Sequence, residues 1–233
     1  TSGSLALGSA AELIRWGVQD VMIAGGAEEF SATQVAIFDT LYATSLRNDA
    51  PRTTPAPYDV DRDGLVIGDG AGTFILEEYE HARARGATIL AELAGFAETT
   101  DGTHVTNPNA ETMSFALRDA LADAGIDGAA IGYVNGHGTA ATRAVFNRAV
   151  PISSLKSYTG HTLGACGAIE AALTVKSLAT GWYPPTLNLR HPDPACADLD
   201  YISGEGRMFD AEYAMTNNFA FGGVNTSLVF RRV

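Results

Sequence analysis

A chain of 233 residues with 46% hydrophobic and 18% charged side chains can bury a substantial core, and that composition excludes a disordered or fibrous polymer. Its formal net charge of -12 repels nucleic acid and anionic membrane surfaces, so neither is an expected partner. Cys166 and Cys196 stand in no paired spacing, no apolar run approaches the ~20 residues that span a bilayer, and no basic-then-apolar leader opens the chain. Together these features predict a protein of the reducing cytoplasm.

Leu7, Ala10, Ala11 and Ile14 recur at helical spacing, so the chain opens on an amphipathic helix that Gly17 can end. The apolar run Val21 to Ala24 predicts a buried strand entering a Gly25-Gly26 turn, and residues 48 to 57, rich in Pro, Thr and Asp, read as a loop. Thr73 to Leu76 is a second short buried strand, followed by a solvated helix from Glu77 to Arg85 that Gly86 closes. Ile89 to Leu93 predicts a strand, and Met113, Ala116, Leu117, Ala120, Leu121 and Ala124 mark one helical face stopped by Gly125. Ile131 to Asn135 reads as a strand and Ala165 to Thr180 as a helix buried on most sides. Ala214-Met215 and Ser227 to Phe230 supply late strands. Strand and helix alternate in two blocks, which suits a duplicated α/β unit.

Three segments place polar or reactive residues where such elements end, the usual location of sites in α/β folds. In Asn135-Gly136-His137-Gly138-Thr139, glycines on both sides free the backbone for an unusual turn that holds an imidazole at a strand tip. Alone, such a histidine is more often a satisfied structural residue. Lys156 and His161 stand five apart just before a helix of very small residues, which permits close backbone approach and aims helix N–H groups at an anion. In Asn217-Asn218-Phe219-Ala220-Phe221-Gly222-Gly223, glycines follow an aromatic in a turn that can point a backbone N–H into a cavity; a core aromatic beside a flexible turn is the plainer alternative.

Taken in order, GHGT at 136–139, KxxxGHTxGAxG at 156–167 and NNFxFGGxN at 217–225 resemble the elongating, decarboxylating β-ketoacyl-acyl-carrier-protein synthases. The resemblance extends to Ala24–Glu29, Ser45–Asp49, Tyr58–Gly64, Gly68–Gly72 and Leu76–Glu78, and so to nearly the whole chain. It implies a thiolase-like α/β fold in which duplicated halves, each with a five-stranded sheet, form a five-layer αβαβα sandwich. Residues 1–87 would be the tail of the first half and residues 88–233 the second. It implies a Claisen condensation of an acyl thioester with malonyl-acyl carrier protein in fatty-acid or polyketide-type biosynthesis.

By similarity, His137 and His161 would donate hydrogen bonds to the malonyl thioester carbonyl, and Lys156 would place positive charge nearby. The Phe221 N–H would form part of an oxyanion hole, and its ring would gate the two half-reactions. Thr106 and Thr139 match residues lining the phosphopantetheine tunnel, Arg47 a basic residue of the carrier-protein docking surface, and Asn135, Glu170 and Asn217 oxygen ligands of a structural monovalent cation in some members. No cofactor is implied beyond the phosphopantetheine of the carrier protein, and the family forms homodimers or heterodimers with a chain-length partner.

Two departures stand out. The family nucleophile is the cysteine of Cys-Ala-Thr-Ser, and Thr1-Ser2 aligns with the last two residues, which puts the nucleophile just upstream of Thr1. Cys166 occupies a small-residue helix position and Cys196 a Pro-rich loop, so neither replaces it. An acidic stretch expected after Ala140 is also missing. A longer polypeptide, of which this chain is a part, is the simplest account of both. The alternatives are a non-catalytic chain-length-factor subunit, which usually loses the histidines retained here, and a degradative thiolase, whose cysteine-based pattern differs.

Overall fold

The opening apolar stripe forms helix α1 (Ser2–Arg15), which buries Gly3, Ser4, Leu7, Gly8 and Ala10. Gly17, at φ +70°, ends it in the left-handed conformation that costs glycine no Cβ penalty. The structure is a computed structural model that describes residues 1–102, 109–137, 139–196 and 198–233.

Strand β1 (Val21–Glu28) is followed by helix α2 (Ala32–Thr40) and pairs with the later strand β2 (Gly70–Glu77). The pair is antiparallel, with Ile23 opposite Ile75 and Gly26 opposite Gly72. The Ser31 side chain and the Gln34 backbone, and the Gln34 side chain and the Ser31 backbone, cap α2 reciprocally. Helix α3 (Tyr79–Ala84) follows, its first turn capped by the Glu78 carboxylate.

The second block runs β3 (Glu92–Thr100), α4 (Ala110–Asp123), β4 (Ile131–Asn135), α5 (Thr139–Phe146), β5 (Pro151–Ser153), α6 (Lys156–Thr159), α7 (Cys166–Thr180), β6 (Trp182–Tyr183), β7 (Asp200–Tyr201), β8 (Arg207–Met208), β9 (Tyr213–Phe219) and β10 (Val224–Arg231). Its sheet has the order β3-β10-β9-β4-β5-β7, and β6 pairs with β8 apart from it. Strand β10 is antiparallel to β3 and β9, whereas β9, β4, β5 and β7 run parallel. A mixed sheet of this kind can be buried on both faces, and the five strands expected for this half gain the two-residue edge strand β7.

The predicted strand at Ile89 to Leu93 lies too early. The β10 ladder ends with Arg231 opposite Glu92, so residues 89–91 have no partner to pair with, and Leu90 stays largely exposed. Strand β9 is longer than its apolar pair suggests, because Thr216, Asn217 and Asn218 are buried in it and bond to Asn135, Ser227 and Glu170.

Alternation along the strands divides the core in two. Leu7 of α1 and Val175 and Leu178 of α7 pack with Tyr133, Ala214, Leu228 and Phe230, and Ala24, Phe74 and Leu76 of the β1–β2 sheet join them. Leu117 and Leu121 of α4 and Phe146 of α5 pack with Val134, Met215 and Val229 on the opposite face. Among the described residues the layers therefore run sheet, helices, sheet, helices. Each fully buried aliphatic side chain of this kind is worth about 1.5–3 kcal/mol.

Helices α1 and α7 cross backbone to backbone. A Cβ on Gly3 would come within 2.7 Å of the Ala168 nitrogen, and one on Gly167 within 2.5 Å of the Ser4 nitrogen. Only hydrogen fits at those two positions. Among the described residues no helix is long and apolar enough to cross a membrane.

Candidate active site

His137 and His161 are delivered by different turns. Strand β4 ends at Asn135, and His137 follows after one glycine. His161 follows the short helix α6, closed by Gly160 at φ +68°. Their rings meet edge to face with centroids 5.6 Å apart, and Phe219 packs edge-on against His137 at 5.9 Å.

Burial, and next the nearby Lys156 charge, hold His161 down to about 3 and His137 well below its ordinary range. Both imidazoles are thus neutral near pH 7. The Leu163 N–H donates to His161 Nδ1 at 3.3 Å, which assigns the ring proton to Nε2. The start of α1 lies beside the His161 turn, since a Cβ on Gly3 would lie 3.1 Å from the Gly164 carbonyl.

Behind the histidines, Lys156 Nζ donates to Glu170 Oε1 at 2.5 Å and to Cys166 Sγ at 2.9 Å. Asn218 Nδ2 donates to the other Glu170 oxygen at 2.7 Å. Burial disfavours the ammonium, but Glu170 and Cys166 overcompensate and raise the Lys156 pKa. Burial and then the Glu170 charge push the Cys166 thiol up to about 11. At 2% exposure it is a neutral packed group rather than an activated nucleophile.

The remaining predicted residues are more scattered. Phe221 is half exposed and stacks on Phe38 of α2 with centroids 6.1 Å apart; the aromatic touching the histidine pair is Phe219. Thr139 opens α5 and its side chain bonds to Cys196, while Thr106 lies outside the described residues. Arg47 bonds to the Asp61 carbonyl and lies 3.5 Å from Asp63, so it is tied to its own loop.

Asn135, Glu170 and Asn217 do not fit a common cation site. Glu170 spends both oxygens on Lys156 and Asn218. Asn217 Oδ1 accepts from Ser227 Oγ at 2.8 Å, and strand alternation puts Asn217 on the α4 face with Met215. Asn135 bonds to Thr216, two residues from Asn218 on the α7 side. The sheet separates Asn217 from the other two.

Sequence reasoning assigned no role to Glu28, whose Oε2 accepts from the Gly164 N–H at 2.8 Å beside the His161 turn, or to Asn218. Both fall inside the matching segments, but only the fold reveals what they hold.

The N-terminal domain model of the β-ketoacyl synthases matches residues 1–82 and the C-terminal domain model residues 90–190. The chain is 44% identical over its full length to 3-oxoacyl-[acyl-carrier-protein] synthase 2 of Vibrio cholerae, and spans 60% of that relative. A crystal structure of a β-ketoacyl synthase from Burkholderia phymatum superimposes with a TM-score of 0.97 at 60% identity, covering all of this chain and 59% of that one. A type II PKS acyl-carrier protein in complex with its ketosynthase bound to the hexaketide matches with a TM-score of 0.94 at 37% identity, covering 99% and 60%. The alignment to the Vibrio cholerae relative runs over 251 positions against 233 residues here, so at least 18 aligned positions (251 − 233) have no residue in this chain. The thiolase-like fold is therefore that of the ketosynthases, and the chain belongs to the β-ketoacyl synthase family.

Proposed function

We propose that the polypeptide carrying this chain catalyses decarboxylative Claisen condensation of an acyl thioester with malonyl-acyl carrier protein. The observation that carries this reading is the pair of neutral imidazoles, 5.6 Å apart, at the start of α1. The malonyl carboxylate leaves as CO2, and its electron pair becomes an enolate whose oxygen takes the negative charge. Neutral N–H groups already aimed at that oxygen stabilise the charge as it forms, without themselves losing protons. A single donor of this kind is typically worth about 10²–10³-fold in rate. The carbanion then attacks the acyl thioester carbonyl, forming the carbon–carbon bond and expelling the thiolate. Lys156, anchored by Glu170, adds a fixed positive charge behind His161.

The nucleophile in this reading is a cysteine just upstream of Thr1, because Cys166 is buried and neutral. The Phe221 amide completes an oxyanion hole, Thr106 and Thr139 line the phosphopantetheine path, and Arg47 belongs to the carrier-protein surface. Residues 1–87 belong to the first thiolase-like half and 88–233 to the second. The partners are an acyl carrier protein and a second ketosynthase-type subunit, identical or of chain-length type. No cofactor is required beyond phosphopantetheine. Two free, buried thiols support a cytoplasmic setting.

A chain-length-factor role is less well supported, because the curated relatives are named synthases and both histidines and Lys156 are retained. The test is mass spectrometry of the carrier-bound product after incubation with an acyl donor and malonyl-acyl carrier protein. A 3-oxoacyl product two carbons longer supports condensation, and its absence when the donor is consumed rejects it.

A further inference from the structure

Tyr58 belongs to the segment between α2 and β2, yet its hydroxyl donates a 2.6 Å hydrogen bond to the backbone carbonyl of Gly136, the residue before His137. The peptide unit that carries this carbonyl also carries the His137 N–H, and it is planar and stiff. Holding the oxygen therefore fixes the plane from which the His137 Cα departs. On its other side the Gly136 N–H donates to the Ser153 carbonyl at 3.0 Å. The fit is tight: a Cβ on Gly136 would lie 2.7 Å from the Tyr58 oxygen and 2.5 Å from Ile152 Cδ1.

Tyr58 is itself firmly held. It is buried, its ring lies 5.2 Å from that of Tyr201, and its carbonyl accepts the Asp193 N–H at 2.8 Å. The adjoining Asp59 carboxylate accepts backbone N–H groups of Asp61, Arg190 and His191 at 2.9, 2.7 and 2.8 Å. Tyr58 adopts φ +67°, a conformation that costs a non-glycine residue about 1–3 kcal/mol and persists where its surroundings over-determine it.

The two histidines differ in what orients them. His161 Nδ1 receives the Leu163 N–H, whereas His137 Nδ1 has no hydrogen-bond partner among the described residues. The His137 ring is therefore aimed by its backbone and by the rings of His161 and Phe219. We infer that Tyr58 is a positioning residue for His137, a strut from the first half of the chain that sets the direction of an imidazole in the second; this rests on the condensation reading.

The test is Tyr58→Phe in the polypeptide that carries this chain, which removes one oxygen and leaves the ring. Malonyl thioester decarboxylation should fall about tenfold in kcat, as expected for a displaced catalytic group, with KM and thermal midpoint little changed. In the same protein the imidazole NMR resonances of His137 should shift or broaden while those of His161 stay in place. A wild-type kcat, a loss that vanishes on correction for the folded fraction, or an unmoved His137 resonance would each overturn the inference. The NMR readout needs no turnover, so a protein that lacks decarboxylation but shows the His137 shift counts against the condensation reading alone.

Discussion

Lys156 and Glu170 meet at 2.5 Å, with side chains 14% and 3% exposed, and tie the His161 turn to the middle of the buried helix α7. Glu170 also receives Asn218, so one carboxylate links two of the three segments that mark the family. Removing one partner of a buried pair strands the other charge, at a cost of about 3–5 kcal/mol. Glu170→Gln should therefore lower the urea midpoint by a corresponding amount without changing the m-value. A midpoint within 0.3 M of wild type, about 0.5 kcal/mol at typical m-values, would contradict this anchoring role.

Acid lability follows from the histidines. His161 has a pKa of about 3 in the fold against an ordinary 6.5, so between those values the unfolded chain binds a proton that the folded chain does not. Stability is therefore intact above pH 6.5 and falls as pH drops toward 3, by about 1.4 kcal/mol per pH unit for one such group. His161→Asn should flatten the slope of unfolding free energy between pH 6 and 4 by about that amount. An unchanged slope in denaturant titrations would show that the imidazole is not buried neutral.

The α1–α7 crossing tolerates no side chain at Gly167, where a Cβ would lie 2.5 Å from backbone nitrogen. Overpacking of this sort typically costs about 1–3 kcal/mol. Gly167→Ala should lower the thermal midpoint by several degrees and loosen the start of α1, whereas Gly102→Ala, where a Cβ meets nothing among the described residues, should not. Equal midpoints for the two variants would refute the close crossing.

Much of this architecture is legible in the residue order. Helical spacing of Leu7, Ala10 and Ile14 marks α1, and glycines at 17, 86 and 125 take the positive φ angles that helix ends use. Strand limits are less legible, because they depend on distant partners: β3 starts where Arg231 ends β10. The buried polar run in β9 is opaque for the same reason, since the partners of Asn217 Oδ1 and Asn218 Nδ2 are the distant Ser227 and Glu170. The histidine and lysine segments are readable as motifs. That Asn217 faces away from Glu170, that Phe219 rather than Phe221 touches His137, and that Tyr58 reaches Gly136 are matters of tertiary placement that spacing does not encode.

The most direct measurement is release of labelled CO2 from a malonyl thioester by the polypeptide carrying this chain, compared with its His137→Ala and His161→Ala variants. The expected result is turnover in the parent and a loss of about 10²–10³-fold or more in each variant with folding preserved. Undiminished CO2 release from either folded variant would contradict the claim that two neutral imidazoles receive the enolate charge.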